Sequence, residues 1–110
     1  MIFVYGPLYA GKESYIRKAL QLSDEAFAAD CVRDVQELAF GADLEALAAS
    51  LAEKRVVIAT EVGGGVVPVD PAERAKREAA GRLACLLAAR AETVVRVCCG
   101  LPMLLKGDWP

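Results

Sequence analysis

A lysine at the end of a glycine turn, a glutamate after it and two further carboxylates are the residues of this chain best suited to chemistry. Gly6-Pro7-Leu8-Tyr9-Ala10-Gly11-Lys12 follows the apolar run Ile2–Tyr5 and opens a helical pattern at Glu13. Strand, glycine loop, lysine and helix in that order are the layout of a phosphate-binding loop. Backbone N–H groups of such a turn point inward onto oxyanions, and the helix adds its positive end. Gly6 and Gly11 supply turn geometry that a side chain would obstruct, Pro7 and Ala10 complete the loop, and Lys12 would reach the outer phosphates. A plain strand-to-helix turn with an incidental lysine is the alternative.

Glu13 stands where such loops carry the Ser or Thr that holds magnesium. Its carboxylate is favoured in the first turn of a helix. It could ligate magnesium itself, or it could repel the phosphates. Ser14 does not substitute for the missing hydroxyl, being rotated about 100° around the helix. Asp30 closes an apolar run, as does the second acidic residue that supports magnesium in many phosphate-loop enzymes. Glu61 follows the β-branched run Val56–Thr60 and leads into Gly63-Gly64-Gly65, so it is a loop carboxylate, functional or merely solvated. Arg74, Arg77 and Arg82 lie among glutamates and read as a salt-bridged outer face before they read as a phosphate contact.

These residues need a scaffold. The chain has 110 residues, 55% hydrophobic and 25% charged, with a formal net charge of −2. That suits one globular domain spanning residues 1–110, with no electrostatic footprint for nucleic acid. Apolar runs fall short of a membrane span and no signal core leads the chain, so a cytoplasmic protein is expected. The four cysteines lack C-x-x-C spacing and there is no histidine, which argues against zinc. Cys98 and Cys99 read as buried free thiols on opposite faces of a strand.

Strand patterns at 2–5, 56–60 and 93–99 alternate with helical ones at 11–22, 44–51 and from Pro71 onward. A short strand is expected over 26–32, ending at Asp30-Cys31. Asp43 and Asp70 read as N-caps, with Pro71 at the first helical position and Glu73 completing a capping box. Lys54-Arg55 suit a helix C-terminus. Gly81, costly inside a helix, suggests close packing there. Gly100-Leu101-Pro102 ends the last strand, and a tail runs to Trp109. Alternation of this kind predicts an α/β fold with a mostly parallel sheet and right-handed crossovers, its ligands at the carboxyl ends of the strands.

The second half carries a more specific likeness. Thr60-Glu61-Val62-Gly63-Gly64-Gly65-Val66-Val67-Pro68 resembles the N-E-V-G-x-G-I-V-P segment of the cobinamide kinase/cobinamide-phosphate guanylyltransferase family. Arg74-Ala75-Lys76-Arg77-Glu78-Ala79-Ala80-Gly81-Arg82 resembles its R-x-F-R-D-x-x-G-R helix. Gly100-Leu101-Pro102 with Lys106 is similar to its G-L-P-x-x-x-K ending, and Asp30-Cys31 to its D-C. The likeness is close over 56–106 and loose over the first thirty residues.

The resemblance implies a small three-layer RecA-like P-loop domain. It implies phosphorylation of a cobinamide-like alcohol in cobalamin synthesis with Mg2+ and GTP or ATP, and hence a nucleotide and a corrinoid as partners. By position, Gly6, Gly11 and Lys12 would bind phosphates, Asp30 would support magnesium, and the segment from Glu61 to Pro68, with Gly63 and Gly65, would line the site.

Departures from the family are equally specific. Its guanylylated histidine has no counterpart, and only 17 residues, 13 to 29, separate Lys12 from Asp30. Glu13 replaces its Ser, Thr60 its Asn, and Ala84-Cys85 its Asn-Gln. The expected protein is a shortened kinase without guanylyl transfer, or an inactive nucleotide- or corrinoid-binding relative. Its high apolar content makes a homo-oligomer plausible.

Overall fold

A computed structural model describes residues 1–62 and 69–110. Gly63 and Gly65, expected at the site, lie outside the described residues. The order of elements is β1 (Ile2–Gly6), α1 (Lys12–Leu20), α2 (Asp24–Asp30), β2 (Cys31–Val32), a 3-10 turn (Val35–Leu38), α3 (Leu44–Leu51), β3 (Val56–Thr60), α4 (Pro71–Arg90), β4 (Thr93–Cys98) and β5 (Leu101–Lys106). One five-stranded sheet has the order β2-β3-β1-β4-β5. β1 lies parallel to β3 and β4, and β2 parallel to β3; among the described residues only β5 is antiparallel.

Each face of the sheet carries a packed cluster. On one, Phe3, Val57 and Val94 meet Leu83 and Leu87 of α4, Ala48 and Leu51 of α3, and Val35. On the other, Val4, Ile58, Val95 and Val97 meet Ile16 of α1 and Phe27 of α2. Val57 and Ile58, adjacent in sequence, therefore feed opposite cores. All five residues of β3 are buried, as befits a central strand of a parallel sheet covered on both faces.

Several expectations are corrected. The strand expected over 26–32 is mostly helix α2, and only Cys31–Val32 pair with β3. Ser23 makes the difference: its hydroxyl accepts from Ala26 N at 3.1 Å and caps the helix. The expected tail is strand β5. Cys99 and Gly100, with φ of +54° and +74°, form a two-residue hairpin turn, and Pro102 is tolerated because β5 is the sheet edge. A Cβ on Gly81 would meet nothing within 4 Å, so this glycine does not mark close packing. Lys54 and Arg55 serve the end of α2 and not that of α3: Lys54 Nζ donates to Ala29 O and Arg55 pairs with Asp30. Among the cysteines only Cys31 is buried.

The helix caps follow expectation. Asp43 accepts from Ala46 N at 3.2 Å, and Asp70 accepts from Ala72 N at 2.9 Å with Pro71 at the first turn. Among the described residues no helix is long and apolar enough to cross a membrane.

Candidate functional site

β1 ends against its neighbour. A Cβ on Gly6 would lie 2.1 Å from the Val97 carbonyl oxygen, so only glycine lets the loop leave the sheet here. At the far end of the loop Gly11 has φ +88° and forms the N-cap of α1. A left-handed conformation at that position again favours glycine. Ala10 N donates to Pro7 O at 3.3 Å, and Gly100 N donates to Ala10 O at 2.8 Å. The loop is thus braced from within and by the β4–β5 turn.

Lys12 is 8% exposed, and its Nζ donates to Pro7 O at 2.6 Å. Burial lowers its pKa from the ordinary 10.5, while the nearby carboxylates of Asp34 and Glu61 act in the opposite direction. The ammonium thus sits under the loop. A cavity of about 320 Å³ opens beside it, bordered by the loop residues Leu8–Gly11, by Glu13, by Arg33 and Asp34 after β2, and by Thr60. Tyr9, 95% exposed, stands at its mouth.

Glu13 is not an isolated charge. Arg33 Nη1 donates to its Oε2 at 2.7 Å, and Arg17 Nε lies 3.6 Å from its Oε1. Two guanidiniums offset the carboxylate expected to repel phosphate. Arg33 drew no attention in the sequence because nothing in its spacing ties it to Glu13, twenty residues earlier; the short β2 brings it there.

Asp30 is not brought to this site. It stands at the amino end of β2, where Asp30 O accepts from Arg55 N at 3.0 Å and its Oδ2 lies 3.8 Å from Arg55 Nη1. The loop lies at the carboxyl ends of the strands. Because the expected strand is largely helix, β2 begins after Asp30 and not before it. The carboxylate at the carboxyl end is Asp34, which borders the cavity and acts on Lys12. An acidic residue just beyond the short Cys31–Val32 strand was the signal available for it.

Glu61 is at the carboxyl end of β3, with its N–H donating to Gly6 O at 2.9 Å. Both its carboxylate oxygens accept from Arg96, at 2.6 and 3.0 Å. This bidentate pair ties β3 across β1 to β4. The Glu61 charge adds to burial in raising the Tyr5 pKa. Thr60 N donates to Gln36 Oε1 at 3.0 Å, fixing the 3-10 turn beside the site. Gly6, Pro7, Ala10, Gly11, Lys12 and Glu13 are therefore gathered at one end of the sheet, with Glu61 alongside in an ion pair and Asp30 at the opposite end.

Together these features define an α/β protein with a glycine loop at the carboxyl ends of a mostly parallel sheet, where such folds bind ligands. Residues 18–105 match the family described as cobinamide kinase / cobinamide phosphate guanyltransferase, and the chain belongs to that family. The family implies a cobinamide kinase/guanylyltransferase role in cobalamin biosynthesis. The matched stretch begins within α1, beyond Lys12, and runs into β5. No curated protein matches the chain.

Proposed function

We propose that this protein binds the phosphate tail of GTP or ATP at Gly6–Lys12 and phosphorylates a cobinamide-like alcohol, without the guanylyl-transfer step. The observation that carries this reading is Lys12: a buried ammonium beneath a glycine loop, beside a cavity, at the ligand-binding end of the sheet. On binding, Lys12 Nζ exchanges the Pro7 carbonyl for a phosphate oxygen, and the positive end of α1 faces the same charge. Asp34 takes the place expected of Asp30. The hard oxygen donors Glu13 and Asp34 both border the cavity, a set suited to magnesium. When bound with a nucleotide, magnesium neutralises charge on the phosphates. Arg33, released from Glu13, then faces the phosphates as a second cation. Guanylyl transfer through histidine has no acceptor in this chain, which contains no histidine.

A second reading, nucleotide binding without turnover, is favoured by one observation. The Glu61 carboxylate is already held by Arg96 through both oxygens and is not free to act as a base. The deciding experiment is incubation with magnesium, GTP or ATP, and adenosylcobinamide, with mass analysis of the corrinoid. A gained phosphate supports the kinase. Unchanged corrinoid together with a nucleotide-dependent rise in melting temperature supports the binding-only protein. Neither outcome sinks both.

A further inference from the structure

Cys98 and Cys99 close β4 at the hairpin turn. Their sulfurs do not point to opposite faces: Cys98 Sγ and Cys99 Sγ are 4.0 Å apart. The cause is the backbone. Cys99 adopts φ +54°, leaving the strand for the left-handed region, so the alternation of side chains ends at Cys98. Cys98 is half-buried and Cys99 exposed, so solvent reaches the pair.

A direct bond between these sulfurs fits poorly. Neighbouring Cα atoms across a trans peptide are about 3.8 Å apart, whereas disulfides ordinarily span about 4.4–6.8 Å between Cα atoms. A shared ion fits well. Two thiolates each about 2.3 Å from one tetrahedral ion lie about 3.8 Å from one another, close to the separation observed. Soft sulfur donors select zinc or copper(I) over hard cations.

We propose that Cys98 and Cys99 form a two-thiolate chelate for a soft d10 cation of the zinc or copper(I) type, at the turn that braces the glycine loop. Two S–H bonds are lost, two metal–sulfur bonds form, two protons pass to solvent and two waters leave the ion. Remaining coordination positions are filled by water or by an added small-molecule ligand. No third Cys, His, Asp or Glu gathers with them among the described residues. Gly100, the next residue, donates to Ala10 O, so occupancy stiffens the turn on which the loop rests.

Cadmium is the probe. Titration of the reduced protein should give a sulfur-to-cadmium charge-transfer band that saturates at one ion per chain, with two protons released. Cys98→Ser and Cys99→Ser should each weaken binding at least tenfold, while Cys85→Ser, at an exposed cysteine on α4, should leave it unchanged. A band that survives either serine substitution at full affinity overturns the proposal. Alkylation of the wild-type protein followed by peptide mass mapping needs no variant: cadmium should protect Cys98 and Cys99 together and leave Cys85 reactive. Independent labelling of the two, or no protection, overturns it equally.

Discussion

The two ends of the sheet use similar residues to opposite purpose. At the amino end, Asp30 and Arg55 form an exposed pair at 3.8 Å, and Lys54 Nζ donates to Ala29 O near the end of α2. Asp30 and Arg55 answer one another and Lys54 reaches the backbone, so a helix end is tied to a strand. At the carboxyl end, Lys12 is buried, Glu13 is shared between Arg33 and Arg17, and Asp34 borders a cavity. Exposed ion pairs contribute about 0–1 kcal/mol, so the pair at the first end is worth little to stability, and the second end is where we propose that a ligand binds.

The largest effect expected from breaking the carboxyl end is structural. Gly6→Ala drives a methyl into the Val97 carbonyl and should cost about 3 kcal/mol in urea unfolding, at the upper end of overpacking penalties. Gly81→Ala, in open space on α4, should instead stabilise by about 0.5–1 kcal/mol. If both alanines behave alike, the crowding at Gly6 is not what fixes that glycine.

The two aspartates test the comparison next. Asp34→Asn should weaken magnesium-nucleotide binding about tenfold, about 1.4 kcal/mol. Asp30→Asn should leave it unchanged and alter stability by less than about 0.5 kcal/mol. Calorimetric titration of both variants reads this, and the reverse order would return the metal-supporting role to Asp30.

Glu13→Ser should have a smaller effect. Its carboxylate is already offset by Arg33 and Arg17, so affinity without magnesium should rise by less than about fivefold, within the range of an exposed ion pair. A larger rise would mean that Glu13 repels phosphate despite its partners. A loss confined to magnesium-containing buffer would make it a metal ligand.

The smallest expected effect is on pH. Burial lowers the Lys12 pKa below 10.5. The cost of burying its charge is therefore complete at neutral pH and fades as pH rises from its folded pKa toward 10.5, so this group alone favours the fold at alkaline pH. A phosphate against Nζ favours the charged form, so nucleotide affinity should fall as pH rises above the folded pKa of the free protein. Lys12→Arg, which stays charged, should flatten the fall.

Much of this is legible in the sequence. β1, the glycines of the loop, the caps Asp43 and Asp70, and β3 follow from period, turn chemistry and capping. Asp30 reads as the end of a strand for a physical reason. Ala26–Ala29 is a short apolar run, and period alone cannot distinguish strand from helix at that length. Ser23, a helix cap three residues before it, held the answer. β5 was hidden by Pro102, which argues against a central strand but not against an edge. The pairing of Glu61 with Arg96 joins residues 35 apart across a register that only the folded sheet supplies.

One measurement bears most directly on the central claim, that the loop at the carboxyl ends holds nucleotide phosphates. Melting curves of the wild type and Lys12→Ala should be compared with and without magnesium-GTP and magnesium-ATP. At about 100 times the dissociation constant the wild type should gain about 2.7 kcal/mol, and Lys12→Ala should lose most of that gain. An equal gain in both proteins would contradict the account, and no shift in the wild type would reduce the loop to a turn.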